Sequence, residues 1–397
     1  MSVDLHEVAR ELIAFDTVST RSDAEAMAYL ANRLDRPGFR VALQRFTWSG
    51  VEAVNLVATA GPAETDGLMV AGHVDTVPFE AQPGWTHDPL AFEPDGARLY
   101  GRGTSDMKGF IAQCVTAAVE LDVRRLSRPL VLAFTAGEEV GSVGARALAP
   151  ELAGLLGGVP TPRLAWIGEP TSYAICHAHK GIVTFEVVVS GVAGHASRPE
   201  RGVNAIIVAA RAIAEIAGYQ RELRTAGPGD PLTFPDSPHP TLNVGTIHGG
   251  TATNTIAEEC RVQVSYRPLP GTDPRAIHQE IVRRLAAVDP RDDDRSAHRA
   301  TLRVGEPAVV PALQTPRGTR LERALLEVLG ERPVTGASFA TDGPDLAAAG
   351  IDSIVCGPGD LEEAHRPNES IGRDAFERGP GVIRAVVERL CTGRLDG

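Results

Sequence analysis

Four short apolar runs constrain this chain more than any other feature. Residues 68–71 read Leu-Met-Val-Ala, 130–134 Leu-Val-Leu-Ala-Phe, 164–167 Leu-Ala-Trp-Ile and 354–356 Ile-Val-Cys. Unbroken apolarity over so few residues fits strands covered on both faces. Segments of helical spacing lie between them, at 110–121 and 320–329. The alternation predicts an α/β layer fold, with a largely parallel sheet and helices on both faces.

The middle of the chain obeys another rule. Residues 184–190, 241–247 and 260–266 are strand-like, and in the last of these Val262, Val264 and Tyr266 alternate with polar residues. Such alternation suits antiparallel strands with one wet face. Helical stretches at about 203–217 and 274–288 complete a small α+β pattern. We therefore expect an inserted domain at 182–290, with a discontinuous principal domain of 1–181 and 291–397 around it. Residues 226–240 hold five prolines and two glycines and read as a long loop of the insert.

Charge narrows the function. The formal net charge of −12 comes without any basic stripe, which argues against a nucleic-acid partner. It suits a solvated surface or a collector of divalent cations. The amino-terminal residues lack the basic start and apolar stretch of a secretory leader, and no apolar run is long enough to span a bilayer. The expectation is a cytoplasmic protein with no membrane partner. Five scattered cysteines without a CxxC pair read as buried free thiols.

The residues just beyond each apolar run carry the chemistry. The first run leads into Gly72-His73-Val74-Asp75, the second into Gly137-Glu138-Glu139, the third into Gly168-Glu169-Pro170, and the fourth into Gly357-Pro358-Gly359 and then His365. Ligands of open α/β sheets gather beyond the carboxyl ends of the strands. Asp106 lies in Gly101-Arg-Gly-Thr-Ser-Asp-Met-Lys-Gly109, just before a good helix. Each residue has an ordinary reading: a polar strand end for His73, a helix cap for Ser105 or Asp106, a surface acidic pair for Glu138 and Glu139. Two adjacent carboxylates nevertheless repel unless a proton or cation relieves them. Two histidines and three carboxylates at one sheet edge point to a metal site. Mixed nitrogen and oxygen ligands suit zinc, and admit cobalt or manganese. Asp75, two residues from His73 on an extended chain, is placed to support it or a neighbouring group.

At these residues the chain resembles the M20 metallopeptidase family. The resemblance rests on His73-Val-Asp-Thr-Val-Pro78, the 101–109 segment, Glu138-Glu139, Gly-Glu169-Pro and Ala-His365-Arg-Pro-Asn-Glu369, in matching order over nearly the whole chain. Gly-Glu-Pro-Thr, His179-Lys180-Gly181, 242–250 and Gly357-Pro-Gly359 are most similar to its acetylornithine deacetylases. The resemblance implies two zinc ions bridged by Asp106, one completed by His73 and Glu169, the other by Glu139 and His365. It implies Glu138 as general base and Asp75 as support for His73. It makes the insert a lid and homodimer interface, from which His195 in Gly194-His195-Ala196-Ser197 reaches the other subunit's site. Asn254 and Arg267 match substrate-contacting lid residues, and Thr341-Asp342-Gly343 a substrate-side loop.

The reaction so implied is hydrolysis of an N-acyl amino acid, foremost N-acetyl-L-ornithine, as in arginine biosynthesis. Desuccinylase, aminoacylase, dipeptidase and carboxypeptidase activities of the same family remain alternatives, because a metal centre touches only the amide. A metal-binding interaction protein without catalysis is the alternative of another class. Against a two-metal phosphate-ester hydrolase stands the lack of a basic cluster or a glycine-rich phosphate cradle near the ligands.

Overall fold

All four apolar runs become strands of one sheet in the computed structural model, which describes residues 4–63, 65–227, 229–292 and 297–392. The strands Leu130–Thr135, Leu68–His73, Leu164–Ile167 and Asp352–Val355 lie side by side in that order, all parallel. The first three are buried along their whole length, as their composition requires. Antiparallel strands flank this parallel centre. Val51–Ala60 and then Phe39–Trp48 continue it on one side, and Ile175–His179 lies beside Asp352–Val355 on the other.

Two helix groups pack on this sheet. Lys108–Glu120 sits on the Leu68–His73 strand and against Leu5–Ala14, Ala24–Leu34 and Arg373–Val387. It is buried from Lys108 to Ala118, so it has no polar face to show. Val143–Leu155 packs on the hairpin strands and on Gly343–Ala348. The parallel strands all run the same way, so their carboxyl ends meet at one edge.

The chain divides into two compact units: His179–Gln314 with Ala337–Ala340, and the remaining described residues. The smaller unit holds an antiparallel sheet ordered Thr241–Gly249, Glu259–Arg267, Ile182–Ser190, Thr301–Val304. It extends past the expected boundary at 290 because Thr301–Val304 and Ala308–Val310 both pair with Ile182–Ser190. Glu259–Arg267 alternates along its whole length, with buried positions at Cys260, Val262, Val264 and Tyr266 between exposed or half-buried ones. Val262, Val264 and Tyr266 face the helices Ala205–Leu223 and Ala276–Leu285 in the apolar core of this unit. Asn204 caps the first of these helices by accepting from the Ile206 N–H at 3.0 Å.

The proline-rich stretch has neither helix nor strand among its described residues, and Pro228 lies outside them. Lys180 anchors it. Its ammonium donates to the carbonyls of Ser237 at 2.6 Å and His239 at 2.8 Å, and lies 5.3 Å from the centre of the Phe234 ring.

Candidate metal centre

His73 closes the Leu68–His73 strand. Its Nδ1–H donates to the main-chain carbonyl of Asp75 at 2.9 Å. That bond fixes the tautomer and leaves the Nε2 lone pair free for a metal. Nε2 looks at two carboxylates, Asp106 Oδ1 at 3.1 Å and Glu169 Oε1 at 3.7 Å. His365 repeats the pattern, with Nε2 3.2 Å from Asp106 Oδ2 and 3.0 Å from Glu139 Oε2. Asp106 therefore turns one oxygen to each imidazole. Glu138 joins the first half: ligand atoms of His73, Glu138 and Glu169 lie within 4.8 Å of one another. Those of His73, Asp106 and Glu139 do so as well.

Strand ends deliver most of this set directly, but two members arrive otherwise. Asp106 comes from the 101–107 segment and His365 from the long loop after Asp352–Val355. Glu369 ties these two together. Its Oε1 accepts the N–H groups of Gly103, Ser105 and Asp106 at 3.0, 2.9 and 3.0 Å, and its Oε2 takes Arg102 Nη1 at 2.7 Å. The sequence alone assigns Glu369 no role. Its only signal is a glycine-rich segment carrying an arginine that, once buried, needs a counter-charge.

Asp75 serves both His73 and a neighbouring group. Its carbonyl oxygen accepts the His73 Nδ1–H, and its carboxylate lies 3.6 Å from the same nitrogen. The carboxylate accepts its hydrogen bonds from the N–H groups of Glu138 at 3.0 Å and Glu139 at 3.2 Å, and from the Ser19 hydroxyl at 2.6 Å. The strand ends at His73, so the chain beyond it turns the Asp75 side chain toward the neighbouring acidic loop.

The electrostatics explain why these groups tolerate one another. Burial pushes the Glu138 carboxyl well above its usual range, with the Glu169 charge adding and His73 opposing. Burial also raises Glu169, against the pull of His73. Glu139 is raised to about 7, by burial and then by Asp106, although His365 bonds to it. Asp106 goes the other way: burial alone would raise it, but bonds from His365 and His73 hold it below the usual carboxylate range. His365 rises to about 10 because Asp106 and Glu139 both face it. Burial disfavours a charged His73, yet Glu169 and Asp106 outweigh it and raise that ring.

Two imidazole nitrogens and four carboxylates aimed at one another demand positive charge among them, as protons or as metal ions. Glu169 Oε1 is buried and finds no hydrogen-bond partner. An orphaned buried oxygen of this kind, beside a free imidazole lone pair, is what a metal ligand looks like. The donor set, with Asp106 facing both halves, fits a pair of divalent cations.

The other expected site residues lie in the smaller unit. His195 is exposed, with Nδ1 2.7 Å from Ser197 Oγ. It pairs in register with Thr255, and the Ala196 N–H donates to the Asn254 carbonyl at 3.0 Å, so His195 and Asn254 are neighbours. Arg267 ends its strand opposite Thr241. Its Nη1 is buried without a hydrogen-bond partner, and burial lowers the guanidinium from its usual value.

Known proteins resemble this chain over most of its length. Residues 177–293 match a peptidase dimerisation domain of the M20 type, and residues 55–154 match peptidase family M28. The chain is 34% identical to an acetylornithine deacetylase of Proteus mirabilis, over 97% of this chain and 96% of that protein. It is 36% identical to one of Myxococcus xanthus, over 98% of each. Among solved structures, a Staphylococcus aureus tripeptidase has the same fold at a TM-score of 0.77 and 20% identity, covering 98% of this chain and 99% of that one. A Bacillus subtilis dinuclear metal-binding peptidase of the M20 family aligns at a TM-score of 0.63 and 14% identity, over 96% of both chains.

Proposed function

From the premise that this chain is a hydrolase belonging to the M20 metallopeptidase family, we propose that it is a zinc-dependent deacetylase of N-acyl amino acids. N-Acetyl-L-ornithine is its first candidate substrate. The observation that carries the metal chemistry is Asp106, with one oxygen toward His73 and the other toward His365. What supports the substrate is the near full-length likeness to acetylornithine deacetylases.

In this reading His73, Asp106 and Glu169 would hold one ion, and Glu139, His365 and Asp106 would hold the other. Bound there, the pair supplies Lewis-acid polarisation of the scissile carbonyl and a water acidic enough to be deprotonated near neutral pH. The chain's own residues do the rest. Glu138 takes the proton of the attacking water and returns it to the leaving amine. Asp75 holds the backbone of Glu138 and Glu139, which keeps base and ligand in separate directions. His195 of one subunit donates to the developing oxyanion in the other subunit's site. Arg267, a cation with an unsatisfied donor, receives the substrate carboxylate, and Asn254 contacts the substrate.

A substrate panel on zinc-loaded protein tests this reading, run in parallel on Arg267→Ala. The panel holds N-acetyl-L-ornithine, other N-acetyl amino acids, N-succinyl-diaminopimelate and short peptides. We expect N-acetyl-L-ornithine to turn over fastest. Arg267→Ala should raise KM about 10–100-fold, the loss of one charge-assisted hydrogen bond. Peptide cleavage with no deacetylation would sink the deacetylase reading. An unchanged KM would remove Arg267 from the substrate.

The homodimer belongs to the same proposal. Thr241–Gly249 is an edge strand of the smaller unit's sheet, and Ile206, Ile207 and Ile247 are exposed there. An unpaired strand edge and exposed isoleucines suit a self-associating face. Sedimentation should give a dimer at micromolar concentration, and a monomer would end this part. No helix among the described residues is long and apolar enough to cross a membrane. A cytoplasmic amino-acid biosynthetic role is the setting this reading implies.

A further inference from the structure

Glu138 and Glu139 sit on a loop that must send one carboxylate to proton transfer and its neighbour to a metal. That division depends on how the loop is held. Residues 135–144 close on themselves, with Val143 N–H donating to the Gly137 carbonyl and Gly144 N–H to the Ala136 carbonyl, both at 3.0 Å. The closure is tight: a Cβ on Gly144 would lie 2.1 Å from the Ala136 oxygen and 2.7 Å from Asn55 Oδ1.

Two buried side chains far away in sequence clasp the loop's ends. Asn55, fully buried, accepts the Ala136 N–H on Oδ1 at 3.0 Å and donates through Nδ2 to the Gly144 carbonyl at 2.9 Å. Gln44 Oε1 takes the other Nδ2 proton at 2.8 Å, which fixes the amide's orientation. Asp342, also buried, accepts the Thr135 hydroxyl on Oδ2 at 2.6 Å, and the Ser142 hydroxyl lies beside the same carboxylate. Asn55 thus joins Ala136 to Gly144, and Asp342 spans Thr135 and Ser142. Asp75 holds the middle.

We propose that Asn55 and Asp342 are positioning residues for the Glu138–Glu139 pair, acting through this loop. Resemblance puts 341–343 beside the substrate, but the Asp342 carboxylate is turned into the protein and onto the acidic loop. The expected signature is therefore in kcat, because misplacing a catalytic group by about 1 Å can cost roughly 10²-fold in rate. The inference rests on the reading of Glu138 as general base.

The test uses the full chain at saturating zinc, with Asp342→Ala, Asp342→Asn and Asn55→Ala. It measures kcat, KM, bound metal and hydrogen–deuterium exchange over 135–144. Asp342→Ala should lower kcat about 10–100-fold, the usual loss for an outer supporting partner, and leave KM within about twofold. Exchange over the loop should quicken in Asp342→Ala and Asn55→Ala. Asp342→Asn, which still accepts from Thr135, should recover most of kcat and the slow exchange. An unchanged kcat, a change confined to KM or substrate ranking, or an Asn variant as impaired as the Ala variant would overturn the proposal. Loop exchange unaltered in all three variants would overturn it too. If no N-acyl amino acid is turned over, the function reading fails, and the exchange pattern still decides this one.

Discussion

Replacing Glu138 by alanine lowers kcat by about 10²–10⁴-fold and leaves bound metal unchanged, the expected loss of a general base. The metal measurement matters because the geometry leaves Glu138 a second role. Its carboxylate lies in a ligand-competent group with His73 and Glu169. If Glu138 were a ligand, metal would be lost along with activity, since ligands define the site. As a base, it depends instead on the surroundings that raise its proton affinity, burial first and the Glu169 charge second. Glu138→Gln keeps the shape and the backbone bond to Asp75 while removing the base. It should match the alanine variant in rate and the wild type in metal content. Normal turnover in either variant sinks the assignment, and metal loss in step with activity turns Glu138 into a ligand.

How much of this was legible in the sequence depends on what each feature needs. The parallel centre of the sheet was readable because strands covered on both faces must be apolar throughout. The clean alternation of Glu259–Arg267 was readable for the complementary reason. The helix Arg373–Val387 was not, because Gly379-Pro380-Gly381 reads as a turn. Tertiary packing overrides that signal: a Cβ at Gly379 would strike the Gln113 side chain at 2.0 Å, so glycine there permits a close approach to the neighbouring helix. The hairpin Phe39–Trp48 and Val51–Ala60 carried a usable sign in Ser49-Gly50, both with positive φ, between ten-residue strands. Arginine and glutamine along the outer strand obscured it. In the site, the residues that meet charge were visible as charged residues at strand ends. Those that hold the loops, Asn55, Glu369 and Asp342, come from distant parts of the chain. Only the fold shows what their hydrogen bonds reach.

Chelating the metal takes turnover to background, and it also leaves a protein whose stability falls as pH rises. The sign comes from the groups that must share the site when no cation is bound. Burial and then Asp106 hold the Glu139 proton up to about 7, against a usual value of 4.5. The facing carboxylates of Asp106 and Glu139 hold the His365 proton to about 10, against 6.5. In both cases the folded chain keeps a proton that the unfolded chain has released. The stabilisation from Glu139 is complete below about pH 4.5 and is lost as pH climbs through about 7. That from His365 is complete below about 6.5 and is lost through about 10. Groups lowered in the fold have the opposite slope, but the Asp106 window lies below its usual 3.8, while His179, lowered to about 4 by burial, opposes only up to about 6.5 and Lys108, lowered to about 7 by burial, only above that. Between about pH 5 and 8 the chelated protein therefore loses stability with rising pH. One full proton amounts to about 1.4 kcal/mol per pH unit. For a chain of this size that is on the order of 1–3 °C in melting temperature per pH unit. In the zinc-loaded protein the cation takes the place of those protons. Its melting temperature should fall less steeply across the same range, and the gap between the two forms should widen with pH, because metal binding must release them. Melting curves with and without chelator across this range measure the gap. Activity that survives chelation, or a chelated protein that gains stability toward pH 8, would mean that these six side chains do not share a metal site.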